Sequence, residues 1–306
     1  MSNTKFAVVT CVAALLLASL AAQAFPPPGG GGGTGGGTIY YMTNEGLKTM
    51  NSDGSNQVLL PAGVGGEPSF ALHGGFRWHL YTSNDELHAV RSDGVVAVQL
   101  TDSFDGIAVA GGLRWAKDNS ATTLINEADS FVSYVGTDAS GASAIYRAYV
   151  AFDAAGTPSL SGASQAVLAI PASDYDWSPS GTQVVYSVNN ALYVSQIGGP
   201  TSLLTTGHQP EWSPSGAKFA FLKPDGIVSD LCTINPDGSG LATLVQARNH
   251  TFNWITYDSA HWSPGSTHLT YHRVGPPGSG IWDIYRVGVN GGSTTFLTGG
   301  NPAAWR

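Results

Sequence analysis

Apolar and polar positions alternate in short runs along most of this chain, and clusters of Gly, Pro, Asn, Asp and Ser separate the runs. A period of two predicts half-buried strands joined by tight turns. The runs also recur as a larger unit. Trp177-Ser178-Pro179-Ser180-Gly181 returns as Trp212-Ser213-Pro214-Ser215-Gly216 and as Trp262-Ser263-Pro264-Gly265. Each unit reads as four strands, A to D. Strand A ends at an aromatic residue: Phe70, Trp115, Trp177, Trp212, Trp262 or Trp305. Two copies are degenerate, with Ala71-Leu72-His73-Gly74-Gly75 after Phe70 and Ala116-Lys117-Asp118-Asn119 after Trp115. Strand B carries Tyr81, Ile125, Tyr186, Phe221 or Tyr271, and strand C starts at Leu87, Ile145, Leu192, Leu231 or Ile284. Asp93-Gly94, Gly198-Gly199, Asp237-Gly238 and Gly291-Gly292 then supply hairpin turns whose twist matches paired strands. Strand D closes on Leu100, Leu204, Leu244 or Leu297.

The two ends of this pattern complete each other. The segment from Ile39 enters at strand B with Tyr41 and runs through Leu47 and Asp53-Gly54 to a strand near Leu60, without a strand A. Asn301-Pro302-Ala303-Ala304-Trp305 is a strand A with nothing after it. Together they make one unit. The predicted fold is therefore all-β: a six-bladed β-propeller of four-stranded antiparallel blades over residues 38–306, about 45 residues per blade. Its ring is closed by the C-terminal strand A joining the N-terminal strands B–D, which removes exposed edges. The six aromatics are expected to be core residues between neighbouring blades.

Composition adds the compartment. Lys5, the apolar run Phe6–Leu20 and the small-x-small site Ala22-Gln23-Ala24 read as a cleavable signal peptide over residues 1–24. The run is short for a membrane span, and cleavage leaves no transmembrane segment. Cys11 lies inside the run, so removal of the signal leaves Cys232 alone, without a disulfide partner. Residues 25–37 hold Pro26-Pro27-Pro28 and then a glycine run broken by Thr34, a flexible tether. Charged residues are 11% of the chain and the net charge is −8, with no basic cluster, so nucleic acid is not an expected partner.

The Trp-Ser-Pro-x-Gly turns, each followed by an apolar strand and an Asp-Gly or Gly-Gly hairpin, resemble the TolB-type propeller repeats, also called WD40-like or PD40 repeats. The resemblance covers nearly all of the chain after the tether and is strongest from Asp174 to Thr298. It implies an exported bacterial protein, periplasmic or secreted. It does not imply one activity, because such blades serve in scaffolds, peptidases and lyases. TolB itself carries an α/β domain ahead of its propeller, where this sequence has the Pro/Gly stretch, so the resemblance is to the propeller.

Two places are candidates for function. In a propeller the D-to-A and B-to-C connections share one face, and that face receives the long segments expected here: Asn126–Ala144, Gly162–Ala172, Val245–Asp258 and Val274–Gly280. Within them Arg248, His250, Phe252 and Trp254 mix aromatic and hydrogen-bonding groups, as binding hot spots do. The other place is the channel lined by strand A. The residues before the aromatics are Ser69, Arg114, Asp176, Glu211, His261 and Ala304; two positions earlier stand Glu67, Gly112, Asp174, Gln209, Ser259 and Pro302. Strict alternation turns both rows away from the aromatics. Either they form a polar site for a peptide, sugar or cation, or their charges pair with one another.

Catalytic signals are weak. No Gly-x-Ser-x-Gly elbow occurs, and Ser215-x-x-Lys218 straddles a blade turn. His268 and His272 are four apart on a strand, about 13 Å, too far to share an ion. His208, His261 and Asp258 could meet near the channel mouth, where an ordinary polar rim accounts for them better than a metal site does. Asn51–Ser55 lacks the terminal Glu of a calcium loop. The expectation is a non-enzymatic, monomeric scaffold for a protein partner in the cell envelope, without cofactor or metal. The alternative is a carbohydrate-binding or lyase- or hydrolase-like propeller using the channel carboxylates, with a glycan or small molecule as ligand.

Overall fold

A computed structural model describes residues 37–59, 70–73, 76–91, 95–102, 106–115, 131–170, 172, 174–226, 228–247, 260–274 and 282–305. The regular elements of the described residues are strands, arranged in six antiparallel sheets. The protein is a six-bladed β-propeller. The closing strand Asn301–Trp305 pairs with Thr38–Thr43, which continues through Gly46–Asn51 to Val58–Leu59, so blade 1 holds both ends of the pattern. Arg286 of blade 6 also donates to the Ser52 carbonyl of blade 1 at 2.7 Å.

The core lies between blades. Trp115, Trp177, Trp212, Trp262 and Trp305 are all nearly inaccessible to solvent. Each sits in a separate apolar cluster joining its own blade to the preceding one: Trp177 with Phe131 and Ile145, Trp212 with Val185 and Leu192, Trp262 with Leu222 and Leu231. Trp305 meets Ile284 and Leu297 in the same way, so the closing strand is fastened by packing as well as by pairing. Phe70 stands opposite His79 as Trp177 stands opposite Val184, and its side chain lies outside the described residues.

The repeated serine explains the repeated turn. Ser178, Ser213 and Ser263 are buried, and each closes its turn twice. Its backbone N–H donates across the turn to the carbonyl of Gln183, Lys218 or His268, and its Oγ accepts the N–H of that same residue at 3.0–3.1 Å. Gly181 and Gly216 take left-handed φ values of 67° and 74°. In the third copy the left-handed residue is Ser266 at 56°, so the glycine of Trp-Ser-Pro-Gly is one position early. The B-to-C hairpins of blades 2 and 4 use Asn84-Asp85 and Asn189-Asn190, with both φ values positive as such turns demand.

Blade 3 departs from the expected layout. Its strand B is Phe131–Asp138, with Val132 opposite Trp115, and Ile125 lies outside the described residues. The expected B-to-C segment Asn126–Ala144 therefore contains a strand, and its B-to-C connection is only the short turn at 139–142. Residues 116–130, between strands A and B of this blade, lie outside the described residues. Gly162–Ala172 likewise contains Gln165–Leu168, which pairs with strand C (Ser143–Phe152) beside a second partner, Pro158–Leu160. Two β-prone runs, Thr122–Ile125 and Phe131–Val135, compete for strand B; the second supplies Phe131, whose ring packs edge-on against Trp177 at 4.9 Å.

Candidate functional site

Strand A positions the candidate channel residues, one copy per blade. In blade 4 (Asp174–Trp177), Asp176 is buried, and its Oδ2 accepts the backbone N–H of Trp212 in the next blade at 2.6 Å. Arg114 of blade 3 reaches its other oxygen at 3.9 Å and lies over the Tyr175 ring. Blade 5 (His208–Trp212) repeats the arrangement. Glu211 Oε1 accepts the backbone N–H of Trp262 at 3.3 Å, its Oε2 meets His261 Nδ1 at 2.7 Å, and its carbonyl accepts Trp262 Nε1 at 2.9 Å. The residue before each of these aromatics thus joins its blade to the next one. The carboxylate-to-amide hydrogen bonds of Asp176 and Glu211 are charge-assisted and largely screened from water, which makes them stronger links than surface ion pairs.

The second row is less regular than alternation predicts. A bulge lies between His208 and Glu211, with Gln209 at φ 50°, so Gln209 does not keep simple alternation with Glu211. Blade 3 carries two further irregularities around Gly111, and a Cβ on Gly112 would meet Tyr175 Cε1 at 3.0 Å. Asp174 accepts from Ser187 Oγ at 3.3 Å. His208 is buried, with Nε2 3.3 Å from Ser229 Oγ; burial holds its pKa below the usual imidazole value, against the opposing pull of Asp174. These groups gather at the end of blades 4 and 5 where B-to-C and D-to-A connections emerge.

His272 is the residue that spacing arguments passed over. It is almost wholly buried, and its ring stacks on Trp282 with centroids 5.4 Å apart. Burial, helped by the nearby charge of His261, lowers its pKa to about 4. His268 stands elsewhere, 6.5 Å from the Trp305 ring. Trp282 itself is 46% exposed at the B-to-C end of blade 6, and Arg273 beside it lies 4.5 Å from the Tyr285 ring. Glu67, Asp258, Arg248, His250, Phe252 and Trp254 lie outside the described residues. Among the described residues no three His, Cys, Asp or Glu side chains come together as metal ligands. No helix of the described residues is long and apolar enough to cross a membrane.

No protein-family model and no curated protein sequence matches the chain. Solved structures do match it. The TolB structure from Acinetobacter baumannii superposes with a TM-score of 0.61 at 14% identity, covering 89% of this chain and 67% of that one. The TolB structure from Agrobacterium tumefaciens gives 0.57 at 15% identity, covering 86% and 89%. The fold is that of a TolB-type propeller. A weaker match, at 0.46 and 16% identity, is an oligogalacturonate lyase in complex with manganese, covering 85% of this chain and 72% of that chain. At these identities the likeness concerns the fold. Within this fold the blades of this chain are linked by Arg114 to Asp176 and by Glu211 to His261.

Proposed function

We propose that this protein is an exported, non-enzymatic propeller scaffold of the bacterial cell envelope, holding a protein partner on the face where the B-to-C and D-to-A connections emerge. The observation that carries this reading is the engagement of Asp176 and Glu211 with backbone amides of the following blades. A general acid or base must exchange hydrogen-bond partners during turnover, whereas these carboxylates fix the frame. They give a rigid ring on which the exposed Trp282 and the half-buried Arg273 beside it present a pre-ordered surface. The signal peptide over 1–24, the tether over 25–37, the propeller over 38–306, the periplasmic or secreted location and the monomeric state belong to the same proposal. A second reading, a carbohydrate binder, draws support from Trp282, an exposed indole held by its stack on His272.

The test is capture from envelope extract with the full chain as bait. Wild type and Val95→Ser, altered on the opposite face, should retain the same protein in stoichiometric amount, and Trp282→Ser/Arg273→Ser should lose it. Equal capture by all three baits, or none by wild type, would sink the reading. Turnover of an envelope polysaccharide that Glu211→Gln abolishes without lowering the melting temperature would replace it with an enzymatic one.

A further inference from the structure

Arg147 is set among three aromatic rings. It lies in strand C of blade 3, opposite Ser133 and Gln165, on the side that faces blade 4. Its guanidinium carbon is 5.6 Å from the Phe131 ring centroid, 5.2 Å from Tyr149 and 5.7 Å from Trp177. Three aromatic faces thus surround one cation. They partly compensate its lost hydration, through the quadrupoles of the rings, but they offer its N–H groups no acceptors in the guanidinium plane. Nε is buried without a hydrogen-bond partner. Among the described residues no carboxylate pairs with Arg147, in contrast to Arg114 with Asp176.

The surroundings are built rather than incidental. Phe131 and Trp177 hold each other edge-on at 4.9 Å, and Trp177 Nε1 donates to Ser133 Oγ at 2.8 Å, so the cage is fixed from both blades. Phe131 also abuts Gly181, where a Cβ would come within 3.1 Å of its Cε1. Tyr149 is 43% exposed, and Arg147 itself is half-buried, so the cage opens to solvent on one side. A partly desolvated guanidinium with its fork free is the group that recognises planar oxyanions bidentately.

We propose that Arg147, caged by Phe131, Tyr149 and Trp177, is a binding site for a carboxylate group presented by a ligand. The site lies between blades 3 and 4, away from the B-to-C end of blade 6, and it does not depend on the scaffold reading. A carboxylate reaches such a site from an acidic peptide side chain or from a uronic acid. The rings contribute contact area around the charge, and the fork fixes its orientation.

Isothermal titration of the full-length protein tests this, with N-acetyl-glutamate amide in one arm and galacturonate in the other. At least one should bind saturably with one site per chain, more weakly as salt rises. Arg147→Gln should weaken it by about tenfold to a hundredfold, the value of a charged hydrogen-bonded pair. Arg147→Lys keeps a charge and a long stem but loses the fork, and should recover only part of the affinity. The arm that binds identifies the source of the carboxylate. Absence of saturable binding in both arms, or equal affinity in wild type and a folded Arg147→Gln, would overturn the proposal. Equal affinity in wild type and Arg147→Lys would overturn the bidentate geometry even if the glutamine variant failed to fold.

Discussion

Replacing Asp176 by Ala should destabilise the protein by about 2–3 kcal/mol, and replacing it by Asn by about 1 kcal/mol. The difference follows from what each variant leaves behind. Asp176 is 2% exposed and its Oδ2 takes the Trp212 amide at 2.6 Å. Alanine leaves that amide buried without its acceptor, a cost of about 1–3 kcal/mol, in addition to the loss of a charged hydrogen bond. Asparagine keeps an acceptor oxygen at the same place and loses only the charge. The Arg114 contact adds little, because the distance is 3.9 Å and the arginine side chain is 32% exposed. For a chain of this size each kcal/mol moves the melting temperature by about 2–4 °C, so Asp176→Ala should melt about 5–10 °C below wild type. Urea unfolding followed by tryptophan fluorescence measures both variants. An alanine variant within about 0.5 kcal/mol of wild type would refute the view that this residue links blades 4 and 5. An asparagine variant as unstable as the alanine one would move the weight from the amide to Arg114.

Three further outcomes follow from the same structure. Trp305→Ala should cost about 3–5 kcal/mol in the unfolding curve and make the protein prone to aggregate, because it loosens the strand that closes the ring. Stability should fall as pH drops from about 6.5 to about 4, because the unfolded chain protonates His272 while the buried ring resists it until its lowered pKa of about 4; His208 and His268, also lowered by burial, act in the same direction, and His272→Gln should flatten the slope measured by urea unfolding at each pH. Gly181→Ala should lower the melting temperature by the equivalent of about 1 kcal/mol or more, since the position is left-handed and a Cβ there also presses on Phe131.

The ring was legible in the sequence because each blade needs its own aromatic, its own turn and its own pair of buried strands. A serine that closes its turn with both backbone and side chain recurs at Ser178, Ser213 and Ser263 because no apolar residue performs that task. Blade 3 was less legible. Trp115 lacks the Ser-Pro turn, so nothing local fixes where strand B begins, and two β-prone runs were equally eligible until packing against Trp177 selected Phe131. The channel row was legible as positions but not as bonds. Alternation put Asp176, Glu211 and His261 on one side, while their partners belong to other blades, 36 to 51 residues away. Bulges are invisible to a strict period of two, which is why Gln209 departs from its expected row. Arg147 had no signal at all: its three rings come from strands B and C of one blade and strand A of the next.

The most direct measurement of the scaffold account is site-specific photo-crosslinking in the cells that make the protein, with the crosslinker at position 282 and, separately, at position 95 on the other face. The account predicts a discrete protein adduct from position 282 and background from position 95. Adducts from position 95 alone, or background from both, would contradict a protein-docking role for the B-to-C and D-to-A face.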